Sequence, residues 1–212
     1  MGIKVAKFGG SSVADGIQLT KTKQIIQQDP DRRYVVVSAP GKRYENDNKI
    51  TDILYLCKTH IEHNLPYDQL FQVVADRFMA VQINLGVKVD LLRYFDEIRE
   101  NLKQNPSADY IASRGEYLNA VLTAAFLGYD FVDTKDLIKF DAKGKLLMAE
   151  TDEAIRRELA KHEHAVLPGF YGSLPDGSVK TFSRGGSDIT GALVARAVNA
   201  DVYENWTDVS GF

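Results

Sequence analysis

Two short stretches near opposite ends of the chain combine charged side chains with pairs of glycines. Lys7 stands just before Gly9 and Gly10, and Arg184 stands just before the run Gly185-Gly186-Ser187-Asp188. Adjacent glycines expose backbone N–H groups and let the backbone approach a ligand that a Cβ atom would block. Together with a lysine and an arginine, such amides bind phosphate or carboxylate groups. The two stretches therefore predict sites for anionic ligands, with phosphoryl groups as the first candidates.

A purely structural role is the alternative for each stretch. The pair Gly9-Gly10 could form only a tight turn between a strand and a helix, and Asp188 could be only a carboxylate that favours a helix N-terminus. The common nucleotide motifs are absent: no glycine stands five positions before Gly41-Lys42, and no G-x-G-x-x-G pattern follows a strand. A phosphate site in this chain must therefore use another arrangement.

The patterns around both stretches alternate between strand and helix. A strand over 3–8 leads through the first glycine pair into a helix over 14–28, and a β-branched strand over 33–38 follows. The second stretch opens a helix over 187–199, which leads into a strand over 201–204. In open α/β sheets, ligands bind beyond the carboxyl ends of the strands, where the glycine turn at the first stretch lies.

The middle of the chain is predicted to be helical. Apolar spacing indicates helices over 50–63, 67–85, 90–104 and 107–127, and the polar segment 42–49 is expected to be a mobile loop. These helices would form one layer beside the sheet.

The α/β alternation resumes after residue 129, where apolar runs predict strands over 131–132, 146–148 and 165–169, with a helix over 151–161. No repeat or long linker divides these elements, so one α/β domain is expected. Only a short loop follows the final strand, which suggests a domain that is truncated at its C-terminal side.

The composition narrows the classes of protein. The 212 residues are 44% hydrophobic and carry a net charge of −3, which argues against binding nucleic acid through bulk electrostatics. No apolar run reaches the roughly 18 residues that span a bilayer. The single cysteine, Cys57, lies in an apolar setting typical of a buried group. We therefore expect a cytoplasmic protein with no nucleic-acid or membrane partner.

Four motifs, in order and spacing, resemble those of the aspartokinases, which belong to the amino acid kinase superfamily. They are Val5-Ala6-Lys7-Phe8-Gly9-Gly10-Ser11-Ser12-Val13, Ser113-Arg114-Gly115-Glu116, Phe182-Ser183-Arg184-Gly185-Gly186-Ser187-Asp188 and Trp206-Thr207-Asp208-Val209. The resemblance covers essentially the whole chain. It implies a three-layer αβα sandwich around a mostly parallel sheet. It also implies ATP-dependent phosphorylation of the L-aspartate β-carboxylate to 4-phospho-L-aspartate, the first step towards lysine, threonine, methionine and isoleucine.

The resemblance implies a role for each matching residue. Lys7 and Asp188 would be catalytic: Lys7 would stabilise charge on the transferring phosphoryl group, and Asp188 would organise the centre. Arg184 would bind a carboxylate of aspartate and Glu116 its ammonium group. Further aspartate contacts are implied for Ser38, Thr51 and Ser187. ATP or phosphate contacts are implied for Lys7, Phe8, Gly9, Gly10, Ser11, Gly185, Gly186, Thr207 and Asp208.

ATP and Mg²⁺ are the implied cofactors. Because Mg²⁺ usually takes only one or two carboxylates plus substrate oxygens, no residue is assigned as a direct metal ligand, and Asp188 and Asp208 are candidate outer ligands. The implied domain is an incomplete catalytic domain over 1–212, without the segment that completes the nucleotide pocket and without the ACT regulatory domains. Family members usually pair, so a homodimer is an expectation as well.

Alternatives to an active aspartokinase remain. Kinases of the same superfamily act on glutamate, N-acetylglutamate, carbamate or UMP, although the Ser-Arg-Gly-Glu and Trp-Thr-Asp-Val motifs favour aspartate. The chain could also be an inactive fragment that binds aspartate or phosphate without turnover. Apart from the resemblance, nothing separates Glu116 from a solvated helix carboxylate such as Glu97.

Overall fold

A five-stranded parallel sheet organises the protein in a computed structural model that describes residues 2–104, 106–183 and 185–207. Its spatial order is β3-β4-β2-β1-β7, and each of the four pairings between neighbouring strands is parallel. A short antiparallel hairpin, β5 and β6, stands apart from this sheet. The strands are β1 Lys4–Phe8, β2 Arg32–Val37, β3 Asp130–Phe131, β4 Ala165–Pro168, β5 Tyr171–Ser173, β6 Val179–Thr181 and β7 Val202–Trp206.

Seven α-helices connect and cover the strands within the described residues. Several begin at a side chain that accepts a hydrogen bond from the first turn, such as Asp15 before α1 and Ser107 before α5. Glycines in the left-handed conformation end α3 and α5. The helices are α1 Gly16–Gln27, α2 Ile50–Glu62, α3 Asp68–Leu85, α4 Leu91–Lys103, α5 Ala108–Leu127, α6 Met148–Leu159 and α7 Gly186–Ala197.

Both faces of the sheet are buried beneath helices. Alternate strand residues such as Phe8 and Val35 pack with residues of α1 to α5 in one core. The intervening residues, such as Val5 and Val36, pack with α6 and α7 in a second core. Because each strand is buried on both sides, the strands read as nearly continuous apolar runs. The predicted three-layer αβα architecture with a parallel central sheet is therefore confirmed.

One local prediction from the sequence was wrong, and a second is only partly tested. The strand expected over 146–148 does not form: Leu146 makes only an isolated bridge to Phe140, and Met148 begins α6. A short apolar run has too few residues to separate a strand from the start of a helix. The segment 42–49 contains no helix or strand, and its Asp47 is buried and bound to Arg43; the expected mobility of this loop stays a prediction.

Other sequence expectations can be compared directly with the fold. The thiol of Cys57 is fully buried, as predicted, and burial raises its pKa to about 11. None of the helices in the described part of the chain combines the length and apolar character of a membrane span. The same residues contain no cluster of three or more side chains suited to hold a metal ion.

Candidate active site

The buried amine of Lys7 defines the centre of the candidate site. Lys7 lies near the carboxyl end of β1 and points to the face covered by α7, because it alternates with the inward-facing Phe8 on the other side. Its Nζ atom is 2.7 Å from Oδ1 of Asp188, in the first turn of α7, and 3.3 Å from Oδ1 of Asn205 on β7. The Lys7 side chain is only 9% exposed, whereas that of Asp188 is 49% exposed. A buried cation with two polar partners thus lies beside the partly exposed carboxylate of Asp188.

The N-terminus of α7 is held beside this cation by close packing. Gly185, the N-cap, has a φ of +59°, a backbone conformation that glycine adopts readily and most other residues do not. A Cβ atom on Gly186 would lie 2.6 Å from Cδ2 of Phe170, in the loop that follows β4. Thr190 ties the same loop to the helix, accepting a hydrogen bond from the Phe170 amide at 3.1 Å. Ser187 is buried in this contact. The positive end of the α7 dipole is therefore rigidly placed near Lys7.

The glycine pair after β1 contacts the end of β7 and the loop that follows β2. The amide of Gly9 donates to the carbonyl oxygen of Trp206 at 3.1 Å, and the carbonyl oxygen of Gly10 accepts from the amide of Gly41 at 2.8 Å. A Cβ atom on Gly10 would lie 2.9 Å from the carbonyl oxygen of Ala39. These glycines thus have a packing role that is visible in the structure. Their role in phosphate binding stays a prediction.

The residues expected to contact ATP fall on two sides of β1. The ring of Phe8 is fully buried and stacks on Trp206, with centroids 6.0 Å apart, on the face opposite Lys7. On that side lies a cavity of about 390 Å³. Its lining includes Phe8, Ser11, Ser12, Lys42, Trp206 and Thr207. The glycines of α7 and Asp188 lie on the other side with Lys7. Any phosphate contact of Phe8 must therefore come from its backbone.

Glu116 is a buried carboxyl group on α5 and not a solvated helix residue. It is 6% exposed, and burial raises its pKa to about 8, against the opposing effect of a hydrogen bond from the Ala39 backbone. Its Oε2 atom has no hydrogen-bond partner among the described residues. A Cβ atom on the preceding Gly115 would lie 2.8 Å from Cβ of Ala39, so glycine allows this close approach. A ligand cation would satisfy the unpaired oxygen.

Ser38 and Thr51 lie at the two ends of the loop between β2 and α2. The Ser38 amide donates to the carbonyl oxygen of Phe8 at 3.2 Å, and its own carbonyl accepts from Nδ2 of Asn119 at 2.7 Å. Thr51 lies half-buried in the first turn of α2, beside Ile50, which packs against Gly115. The segment from Ser38 to Thr51 therefore packs, through Ala39 and Ile50, on the turn of α5 that contains Glu116.

Several neighbours of the site were not predicted from the sequence. Asn205 and Asn119 contact Lys7 and Ser38 directly, but isolated asparagines form no recognisable motif. Arg77 is a different case, because a charged residue on the apolar side of α3 is unusual and could have drawn attention to this position in the sequence. Two predicted site residues, Arg184 and Asp208, lie outside the described residues.

Comparisons with known proteins agree with the fold and the motifs. The model of the amino acid kinase family matches residues 2–212. Aspartokinase 3 of Bacillus subtilis is 38% identical over 98% of this chain and 49% of its own length.

Two solved structures are similar over the whole chain or nearly so. A crystal structure of the Clostridium acetobutylicum aspartate kinase has a TM-score of 0.98 and 47% identity, over 100% of this chain and 49% of that one. Escherichia coli aspartokinase III, solved with aspartate and ADP, has a TM-score of 0.84 over 99% of this chain and 50% of that one; at 24% identity it shows the fold alone. This chain spans about half the length of the relatives that it matches. With its fold, its motifs and a family match over 2–212, the chain belongs to the amino acid kinase family.

Proposed function

We propose that residues 1–212 form a catalytic domain of an aspartate kinase, which transfers the γ-phosphoryl group of ATP to the β-carboxylate of L-aspartate. The observation that carries this proposal is the Lys7–Asp188 ion pair at the N-terminus of α7, next to the first glycine turn. The 47% identity to a solved aspartate kinase supports the assignment of the acceptor.

The reaction needs little acid–base chemistry. A β-carboxylate oxygen of aspartate attacks the γ-phosphorus, the bond from that phosphorus to the β,γ-bridging oxygen breaks, and ADP leaves with the electron pair. The acceptor carboxylate is already ionised near neutral pH, so no side chain has to remove a proton from it. The rate enhancement then depends on placement of the two substrates and on neutralisation of phosphate charge.

Lys7 is suited to neutralise that charge. Its amine is held by Asp188 and Asn205 on two different elements, so the cation is fixed before substrate arrives. The first amides of α7 and the positive end of its dipole reinforce the field on the same side of the sheet. Phosphoryl oxygens placed beside Lys7 would meet donors that need no reorganisation. Asp188 in this arrangement positions Lys7 and limits its movement.

Glu116 is the group that we assign to the ammonium of aspartate. Its unpaired Oε2 atom lies in a buried environment, where pairing with a cation is stronger than in water. Burial raises the pKa of this carboxyl to about 8, and a bound ammonium group would favour its ionised form over the protonated form. Ser38, Thr51 and Ser187 are the further proposed contacts, and Arg184 is the proposed partner of a substrate carboxylate. A cation for the carboxylate and an anion for the ammonium together select an amino acid over a simple dicarboxylate.

The residues around Lys7 fit the binding of ATP with Mg²⁺. Asp188 presents a half-exposed carboxylate, which is a ligand type that Mg²⁺ prefers, while no dedicated acidic cluster exists in the part of the chain described. Asp188 would therefore be an outer ligand of the ion, and phosphate oxygens of ATP would supply most of the other ligands. When bound, Mg²⁺ supplies charge neutralisation on the nucleotide phosphates. Asp208 stays a candidate for the same role.

The test is ADP release from ATP and Mg²⁺, with L-aspartate or L-glutamate as the acceptor. We expect release with aspartate, and we expect Lys7→Met to reduce it by about a hundredfold or more. Lys4→Met is the matched control, because Lys4 lies on the same strand and pairs with Asp29 at the opposite end. Loss of activity only in the Lys7 variant supports the proposal.

Three outcomes of this assay would contradict the proposal. Faster ADP release with glutamate than with aspartate would mean that glutamate, and not aspartate, is the phosphoryl acceptor. Equal loss in both lysine variants would remove the special role of Lys7. Binding of aspartate without ADP release would identify a fragment that binds but does not turn over.

A further inference from the structure

An arginine outside all four motifs lies buried beneath the loops of the candidate site. Arg77 is on the core-facing side of α3, in the same buried row as Val74, Phe78 and Val81. Only 5% of its side chain is exposed. A charge in such a place is tolerated only when paired and hydrogen-bonded, so the partners of Arg77 indicate what holds it there.

The guanidinium of Arg77 donates to three backbone carbonyls in two separate loops. Nη1 donates to Asn48 at 2.7 Å, and Nη2 donates to Ala14 at 3.3 Å and to Gly41. Ala14 belongs to the loop after β1, whereas Gly41 and Asn48 stand near the two ends of the loop between β2 and α2. These contacts come from two separate nitrogen atoms of a planar fork, whereas a lysine amine has one nitrogen atom.

A carboxylate balances the charge of Arg77 at the same place. Oδ2 of Asp47 lies 3.3 Å from Nη1 of Arg77, and Asp47 also makes two hydrogen bonds to the side chain of Arg43, at 2.8 and 2.9 Å. The hydrogen bonds from Arg43 hold the pKa of Asp47 well below its usual range, so this carboxylate stays charged at neutral pH. The loop between β2 and α2 is therefore fastened to α3 by both its backbone and its side chains.

These two loops carry many of the proposed ligand contacts. The amide of Gly41, whose carbonyl binds Arg77, donates to the carbonyl oxygen of Gly10 in the first glycine turn. Asn48 stands three residues before Thr51, and Ser38 stands at the start of the same loop. Among the described residues, the hydrogen bonds and the ion pair of Arg77 reach no proposed ligand-binding side chain, so we expect any effect on catalysis to act through the loops.

We propose that Arg77 is a positioning residue for the proposed kinase reaction, which fixes the loops after β1 and β2 in the one arrangement that binds aspartate. The inference rests on the proposed function for its catalytic consequence. The attachment of the two loops to Arg77, which we call the clamp, rests only on the contacts of Arg77 and can be measured without substrate.

The first experiment is amide hydrogen exchange of the ligand-free chain, comparing the unmodified protein with Arg77→Lys. Lysine keeps the charge that Asp47 needs but has a single nitrogen atom in place of the two that bind the three carbonyls. We expect exchange over 40–49 to rise about tenfold or more, the equivalent of about 1.4 kcal/mol, with α6 unchanged. Unchanged exchange over 40–49 would overturn the clamp, whether or not the chain is a kinase.

The second experiment separates positioning from general stability by steady-state kinetics. We expect Arg77→Lys to raise the KM for aspartate about tenfold or more and to lower kcat by less than about threefold, because ground-state binding is lost. Addition of methylguanidinium to Arg77→Ala should restore part of the aspartate affinity. A role in stability alone predicts that methylguanidinium does not restore aspartate affinity. Failure of this rescue, together with an unchanged KM in Arg77→Lys, would overturn the positioning role.

A core variant provides the matched control. Ile98 is buried on α4 and makes none of the loop contacts, so Ile98→Val, or Ile98→Ala where a larger loss is needed, can match the loss of thermal stability. An equal rise in KM in this control would also overturn the proposal.

A second variant keeps the proposal testable when Arg77→Lys does not fold. Asp47→Asn leaves the three carbonyl contacts of Arg77 in place and removes the carboxylate between the two arginines. We expect amide hydrogen exchange to rise about threefold, only within 42–49, and the KM for aspartate to rise as well. Exchange that rises equally across all helices would mean general destabilisation and would contradict a local clamp.

Discussion

Replacement of Glu116 by glutamine should make the protein more stable at alkaline pH while it destroys aspartate binding. The carboxyl group is buried, and burial raises its pKa from 4.5 to about 8. Below pH 4.5 this carboxyl is protonated in both the folded and the unfolded chain, so it does not affect the folding equilibrium. Between pH 4.5 and 8 it ionises mainly in the unfolded chain, and folding stability falls as pH rises.

The magnitude follows from the two pKa values. A change from 4.5 to about 8, at about 1.4 kcal/mol for each pKa step, gives a loss of at most about 5 kcal/mol once the pH exceeds 8. Glutamine keeps a side-chain oxygen that can accept the hydrogen bond from Ala39 but does not ionise. We therefore expect Glu116→Gln to match the unmodified protein near pH 4.5 and to exceed its free energy of unfolding by several kcal/mol at pH 8.

The assay is urea denaturation at a series of pH values from 4.5 to 8.5, with the free energy of unfolding obtained by linear extrapolation. Glu97→Gln on the exposed side of α4 is the matched control, since it removes a carboxylate of the same type from a solvated position. In parallel, calorimetry should show that Glu116→Gln no longer binds L-aspartate. A pH dependence identical to that of the unmodified protein would refute the assignment of Glu116 as a desolvated carboxyl group.

Three further predictions concern the surroundings of the site. Asn119→Ala removes the hydrogen bond to the Ser38 carbonyl, worth about 1 kcal/mol, and steady-state kinetics should show a KM for aspartate that rises roughly fivefold; an unchanged KM would contradict this. Gly186→Ala would force a Cβ atom to within 2.6 Å of Phe170 Cδ2, and thermal denaturation should reveal a loss of about 1–3 kcal/mol together with weaker nucleotide binding. Cys57, with its pKa raised to about 11 by burial, should resist a thiol reagent at pH 8 until the protein is unfolded, and rapid labelling of the native chain would show that this core opens.

The sequence predicted the elements best where long patterns exist. The β-branched run over 34–37 and the helical spacing across α2 to α5 predicted those elements to within a few residues. The β5–β6 hairpin was missed because its strands are three residues long and include Gly172 and Lys180, which give no strand pattern. Its turn could have been noticed, since Pro175-Asp176-Gly177 is a typical turn sequence.

The site was predictable only in part, for a physical reason. Lys7 and Asp188 stand beside glycine pairs, so their chemistry could be inferred locally, and the resemblance joined them across the sequence. The burial of Glu116 could not be read from α5 itself, because nearly all faces of that helix are covered and its own pattern is not amphipathic. The unusual position of Arg77 could be noticed in α3, but its role could not be assigned, since it binds backbone carbonyls that any residue provides.

The most direct test of the account is the identity of the phosphorylated product. We would incubate the chain with ATP, Mg²⁺ and L-aspartate in the presence of hydroxylamine, which converts an acyl phosphate into a hydroxamate, and detect the product by mass spectrometry. The account predicts aspartate β-hydroxamate in proportion to ADP, with both products reduced about a hundredfold or more in Lys7→Met. Release of ADP with inorganic phosphate and no hydroxamate, or formation of hydroxamate from glutamate in preference to aspartate, would contradict the central claim.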